Sequence, residues 1–296
     1  MNKFNDFDDA FKVKLLEVFS FTINFLEEHN LTWWVAGGTM LGAVRHKNII
    51  PWDDDIDIMM PREDYNKLLS LKNLFPPKYQ LKSAHDNFYF KSISKICDTE
   101  TTIWERRRDP DSFGVFVDIF PLDQFSYSFE EYCKKYQRYY RIKRKFELSK
   151  SRYSIAEMFD NIKNNKKGAL LDGVLSIMYP YSKSEKYRRE YIAIEQMFND
   201  GDGRFTVSPT GAYGTKEFFK SSWFEETIQM DFAHLRVNVP KEYDKYLTMM
   251  YGNYMKLPPV EKRITHHAHF YVNLLAKKTI SEILTDLKNN KNYIYK

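Results

Sequence analysis

The chain has 296 residues, of which 43% are hydrophobic and 17% aromatic, and carries a formal net charge of +5 at pH 7. That supply of apolar side chains excludes a disordered protein and suffices for one large domain, or a core with a helical appendage. The two cysteines, Cys97 and Cys133, lie far apart without CxxC or Cys/His spacing. Neither a zinc site nor a disulfide framework is indicated, and a reducing cytosol is expected.

Asp6, Asp8, Asp9, Lys12 and Lys14 interrupt any apolar run near the start. No signal peptide is expected there, and no stretch of the sequence approaches the length of a membrane span. Phe11, Leu15, Val18, Phe19, Ile23 and Leu26 recur at helical spacing and predict an amphipathic helix over residues 8–29. Next comes WWVAGGTMLGAVRHKNII, Trp33 to Ile50, which reads as strand, glycine turn and helix start. Gly37 and Gly38 leave backbone N–H groups to face an anion, Thr39 is placed to cap the helix, and Arg45 and Lys47 add positive charge.

The segment least explicable by folding is PWDDDIDIMMP, Pro51 to Pro61, with four aspartates in five positions. Read as a strand, it sets Asp55, Asp57 and Met59 on one face, with Asp53 in register, and Ile56, Ile58 and Met60 on the other, where Asp54 also points. Alternate strand residues sit about 6.6 Å apart, where two full charges repel by roughly 2.5 kcal/mol at an effective dielectric of about 20. A rigid edge of this kind calls for a cation. Carboxylate oxygens without Cys favour Mg²⁺ or Mn²⁺ over zinc. A calcium loop of the EF-hand type fails, because Ile58 stands where Gly is needed and Asp64 where a bidentate Glu belongs.

Pro61 opens a helix expected to run to about Leu71, with Glu63 and Asp64 in its first turn. Pro76 and Pro77 break the chain before strands near 79–83, 89–97 and 101–104. In GVFVDIFPLDQF, Gly114 to Phe125, Asp118 is inserted into a buried strand pattern that Pro121 should end. A carboxylate there must be paired, hydrogen-bonded or metal-bound, and a ligand or general base is the preferred reading.

Residues 128–200 read as helices separated by Asn/Lys-rich turns, such as NIKNNKKG at Asn161 to Gly168. Lys134 to Arg152 is densely basic and interleaved with tyrosines, as a solvated helix face or a patch attracted to an anionic membrane would be. No nucleic-acid-binding pattern accompanies it. Near the C-terminus Arg263 is a candidate phosphate contact, and His266, His267 and His269 form a cluster whose role the residues alone leave open.

The Gly-Gly-Thr turn, the block LGAVRHKNIIPWDDDIDIMMPREDY from Leu41 to Tyr65 and the VDIFPLD segment together resemble the LicD family of the nucleotidyltransferase superfamily, which includes fukutin and the fukutin-related protein. The motifs span roughly residues 33 to 125, with a weaker echo over Val239 to Arg263. The resemblance implies an α+β fold: a nucleotidyltransferase-like mixed β-sheet core flanked by helices, with a helical insertion. One LicD-type domain is expected over residues 1–296, its core at about 20–125, its helical part at about 128–200, and about 205–296 completing the site. It further implies transfer of phosphocholine from CDP-choline onto a glycan or lipid-linked glycan, with release of CMP. Carried onto this sequence, the catalytic acids are Asp55, Asp57 and Asp118. The metal set is these three with Asp53, and the donor-binding set is Gly37, Gly38, Thr39, Arg45, Arg263 and His266. If choline is carried, aromatic faces must house it, and Trp52, Trp104 and Trp223 are candidates.

Four other readings compete. A true nucleotidyltransferase would release pyrophosphate, another CDP-alcohol would carry glycerol or ribitol, and a scaffold would be catalytically silent. The intact acid set disfavours the scaffold. A nucleotide-sugar glycosyltransferase with an Asp-x-Asp pair is disfavoured by the Gly-Gly turn sixteen residues before Asp53.

Overall fold

The isoleucines and valines that punctuate the acids build a sheet, and aromatics build the helical layer beside it. The computed structural model describes residues 3–153, 167–201, 203–265 and 269–289. Helix α1 (Lys3–Glu28) leads to β1 (Trp34–Val35), α2 (Gly37–His46), β2 (Asp57–Pro61) and α3 (Arg62–Ser70). Strands β3 (Tyr79–Lys82), β4 (Ser94–Asp98) and β5 (Thr102–Trp104) precede the long β6 (Phe116–Phe125). Helices α4 (Phe129–Lys150), α5 (Lys167–Met178) and α6 (Ser184–Ile192) follow. Then come β7 (Phe205–Val207), β8 (Phe218–Lys220), a hairpin of β9 (Thr227–Phe232) and β10 (Leu235–Pro240), α7 (Tyr243–Tyr251), β11 (Tyr271–Asn273) and α8 (Ile280–Asn289). The expected α+β architecture is what forms. The turn expected at 161–166 lies outside the described residues, and Lys167 and Gly168 already belong to α5.

The main sheet has the order β1-β2-β6-β4-β3, with β7 and then β8 added along the second half of β6. Only β2 and β6 pair in parallel; their neighbours are antiparallel, so the sheet is mixed. Helix α1 covers the sheet with Leu15, Val18, Phe19 and Leu26, all buried with Ile58, Ile96, Val117 and Ile119.

Pro121 does not end β6, contrary to expectation. Asp118 donates its N–H to the Ile56 carbonyl at 2.9 Å, so even-numbered residues of β6 point their N–H groups at β2 and odd-numbered ones at the opposite edge. On that edge β4 pairs only as far as Ile119 and β7 begins at Asp123. Proline's missing donor therefore falls in the gap between two partners. Strand β4 is also shorter than expected, because Tyr89 and Phe90 leave the sheet to pack their rings on Phe113.

The helical layer has its own core, in which Phe125, Tyr132, Tyr139, Phe146, Tyr191 and Phe198 bury one another. A buried ion pair joins it to the sheet. Arg62 donates to both carboxylate oxygens of Asp123 (2.6 and 3.2 Å) and to the Glu195 carbonyl (3.2 Å).

Candidate active site

The parallel register of β2 and β6 sets Asp57 directly opposite Asp118. Neighbouring strands lie about 4.8 Å apart, so two carboxylates are held side by side by backbone geometry alone. Strict alternation does not extend upstream to Asp53, because residues 53–56 precede the strand and begin at a turn closed by the Asp53 N–H on the Ile50 carbonyl (2.9 Å). Released from the pleat, Asp53, Asp54 and Asp55 each bring a carboxylate oxygen within 4.8 Å of the others. Asp54, expected on the far side, joins the cluster.

Burial, and after it the charges of Asp55, Asp118 and Asp53, push the Asp57 carboxyl well above the usual carboxylate range, with Lys95 pulling the other way. This ordering makes Asp57 the focus of the negative field. The crowded oxygens meet the donor preference of a hard divalent ion, whose charge would relieve their repulsion.

The Gly37-Gly38 turn packs against these acids. A Cβ on Gly38 would stand 2.7 Å from Asp53 Oδ2, and one on Gly37 would stand 3.5 Å from Asp57 Oδ2, in a residue whose φ is +49°. A side chain at 38 would push the Asp53 carboxylate out of its place, and glycine is favoured at 37 by its left-handed backbone. The Gly37 N–H donates to the Tyr246 hydroxyl at 3.2 Å rather than standing open for a phosphate. Thr39 does not cap its helix. Its Oγ1 accepts the Asp57 N–H at 2.9 Å, which ties the first turn of α2 to the start of β2.

Positive charge surrounds the acids on two sides. Arg45 donates to the Tyr254 carbonyl at 2.7 Å, and its pKa is lowered by burial and then by the nearby charge of Arg263. Arg263 lies over the Trp52 ring at 5.5 Å, one residue before the acidic run, and Thr265 donates to the Trp52 carbonyl at 3.2 Å. Two guanidiniums close enough to repel make a place suited to a phosphate. The second group is Lys95, which donates to Asp118 Oδ1 at 2.7 Å, with Glu105 at 3.8 Å. Burial would lower the Lys95 pKa, but Asp118 and Glu105 outweigh it and hold it above the ordinary value. Lys91 continues the chain of charges to Glu105 (3.2 Å) and Asp109 (3.3 Å).

Asp55, Asp118, Lys95 and His269 open onto a cavity of about 630 Å³, whose far wall carries Tyr136 and Tyr140 of α4 and the Thr210–Gly214 loop. Glu217 organises that loop. Its carboxylate accepts the Tyr213 N–H at 2.9 Å, and a Cβ on Gly211 would lie 2.0 Å from both oxygens. Burial pushes the Glu217 pKa up to about 7, against the hydrogen bonds of Tyr213 and Ser208 and the charge of Lys143. Tyr213 in turn donates to the Tyr251 hydroxyl at 3.0 Å, beside Gly37.

Asp53, Asp55, Asp57, Asp118, Gly37, Gly38 and Thr39 are thus brought together, with Arg45 and Arg263 at the rim beside Trp52. His266 and His267 lie outside the described residues. His269 is buried 3.2 Å from Asp54 Oδ2 without hydrogen-bond alignment. Trp104 packs with Tyr271 and Ile283, away from the acids, whereas Trp223 rests on the core beside Phe219. Sequence reading missed Lys95, Glu105, Tyr213, Tyr246, Tyr251 and Glu217. Lys95 left a signal, a lysine inside the apolar run of Ile93, Ile96 and Cys97; the others left none.

An acid cluster at the start of a strand, packed on a glycine turn that opens a helix, is the arrangement that the sequence resemblance leads one to expect of a nucleotidyltransferase-type core. Residues 30–158 match the family described as LicD/FKTN/FKRP, nucleotidyltransferase domain. It is 29% identical over 249 residues to the lipopolysaccharide cholinephosphotransferase LicD of Haemophilus influenzae, covering 81% of this chain and 88% of that protein. It is 30% identical over 116 residues to the human ribitol 5-phosphate transferase FKRP, covering 36% of this chain and 20% of that one. An uncharacterized protein of Rickettsia typhi is 33% identical over 129 residues, covering 42% of this chain and 39% of that one.

Proposed function

We propose that this protein transfers a phospho-alcohol, foremost phosphocholine from CDP-choline, onto a sugar hydroxyl of a cell-surface glycan or its lipid-linked precursor, releasing CMP. The observation that carries the reading is the focus of Asp55, Asp118 and Asp53 upon Asp57 at the foot of the Gly37-Gly38 turn. A relative named as a cholinephosphotransferase and another named as a ribitol 5-phosphate transferase support a phospho-alcohol as the group moved.

Asp53, Asp55 and Asp57, with Asp118, would hold Mg²⁺ or Mn²⁺, which supplies charge neutralisation to the diphosphate when bound. Arg45 and Arg263 steady the donor phosphates at the rim. Lys95 fixes the Asp118 carboxylate so that its orientation is set before substrate arrives. In the reaction, the acceptor hydroxyl oxygen forms a bond to the phosphocholine phosphorus. The bond from that phosphorus to the bridging oxygen breaks, its electron pair leaves on CMP, and the hydroxyl proton passes to a carboxylate of the cluster, Asp118 being the best placed. The Tyr136, Tyr140 and Tyr213 side chains that line the cavity offer faces for a quaternary ammonium.

Product analysis tests this. Purified protein incubated with Mg²⁺, CDP-choline and a glycan acceptor should release CMP only when both substrates are present. Pyrophosphate as the product would assign nucleotidyl transfer instead. Calorimetric absence of divalent-ion uptake, with and without cytidine nucleotides, would overturn the site.

A further inference from the structure

Helix α5 turns its apolar side outward. Leu171, Val174 and Met178 recur at intervals of three and four residues, which is one face of a helix, and all are exposed, as are Ile177 beside them and Tyr181 in the turn that follows. Ile177 and Met178 are 71% and 64% exposed, more than residues of a core-facing stripe show. The opposite side is the one that packs: Gly173 is buried, and Asp172 pairs with Arg144 of α4. A contiguous apolar stripe facing water marks a surface that something covers.

Charge identifies the occupant. Ser128 to Ile192 holds 16 Lys and Arg against 8 Asp and Glu, a net +8, so the rest of the chain is −3. Around the stripe, Arg152 lies over the Tyr181 ring at 6.0 Å, and both Arg152 and Lys183 are exposed. An apolar strip flanked by the exposed Arg152 and Lys183, in the basic part of the chain, matches an anionic bilayer, where acyl chains take the strip and lipid phosphates the cations. Helix α5 has 12 residues, too few to span a hydrocarbon core, and no helix among the described residues is long and apolar enough to cross a membrane. The geometry points to a peripheral membrane-docking face formed by α5 and the Tyr181 turn, lying flat in the headgroup region of an anionic bilayer. Asp172, on the packed side of α5, lines the large cavity together with Arg144, Ser151 and Tyr153 at the end of α4, so docking would set that cavity about one helix width from the membrane surface.

Vesicle sedimentation of the full chain tests the face without donor or turnover, so it stands or falls separately from the proposed reaction. The protein should pellet with vesicles of equal parts phosphatidylglycerol and phosphatidylcholine and stay in the supernatant with phosphatidylcholine alone. The double variant Val174→Asp/Ile177→Asp should lose about tenfold in vesicle affinity, with an unchanged circular dichroism spectrum and unchanged CMP release on a water-soluble acceptor. The variant Arg152→Glu/Lys183→Glu, which leaves the apolar strip intact, should lose a similar factor, and more at low salt. Absence of wild-type binding to the anionic vesicles, or binding that neither variant weakens, overturns the proposal. A dimer by analytical ultracentrifugation that the Val174→Asp/Ile177→Asp variant dissociates would instead assign the stripe to a second copy of the chain.

Discussion

The sheet and the helical layer use charge in opposite ways. Around β2 and β6 an aliphatic core holds negative groups together at its edge and partners them with buried cations such as Lys95, so charge is concentrated where backbone register puts it. In α4 to α6 the core is aromatic, and most of the positive charge is carried on its outside. Concentrated charge is costly unless a ligand or counter-ion completes it, whereas displayed charge costs little and serves attraction over distance. The first region is built for chemistry, the second for contact.

The most severe way to break this contrast is Asp57→Asn. Turnover should fall on the order of a thousandfold, since the proposed cation set would lose one ligand. The melting temperature without divalent ions should hold or rise, because a mutually repelled buried charge is gone; a drop would show that the acids stabilise the fold rather than serve a ligand. Next is the joint between the regions. Arg62→Ala strands Asp123, which is fully buried, and should cost about 3–5 kcal/mol in a urea melt.

Glu217→Gln sharpens the comparison at the loop shared by the two regions. Burial holds its folded pKa at about 7, above the ordinary carboxyl value of about 4.5, so the native state holds that proton more tightly than the unfolded chain. The stability this contributes is complete below about 4.5 and is lost as pH rises through about 7. The glutamine variant should flatten that part of the pH–stability curve and exceed the native protein by up to about 3 kcal/mol at pH 8, measured by denaturant titration. The smallest effect belongs to the aromatic core. Tyr139→Phe removes the contact to the Tyr191 hydroxyl at 3.2 Å, yet Tyr191 still donates to the Ser92 carbonyl, so the loss should be about 1 kcal/mol.

Much of the site was legible because its residues are clustered in the chain. The twenty-one positions from Gly37 to Asp57 cannot hide a Gly-Gly turn followed by four aspartates, and Asp118 stood out as a charge inside an apolar run. Two of the misreadings share one cause, which is that periodicity assumes continuous pairing. Residues 53–56 lie outside the strand, which turned Asp54 toward its neighbours, and Pro121 survived inside β6 because its partners change there.

Local pattern alone determined the alternation of β2, the amphipathic face of α1, the glycine turn and the presence of an acidic site, since each depends on spacing within a few residues. Tertiary structure decided which distant groups meet that site. Lys95 reached Asp118 across the β4–β6 pairing, while Arg263 reached Trp52 and Tyr246 reached Gly37, each over two hundred positions. Register and packing set those encounters, and neither is written in any single segment.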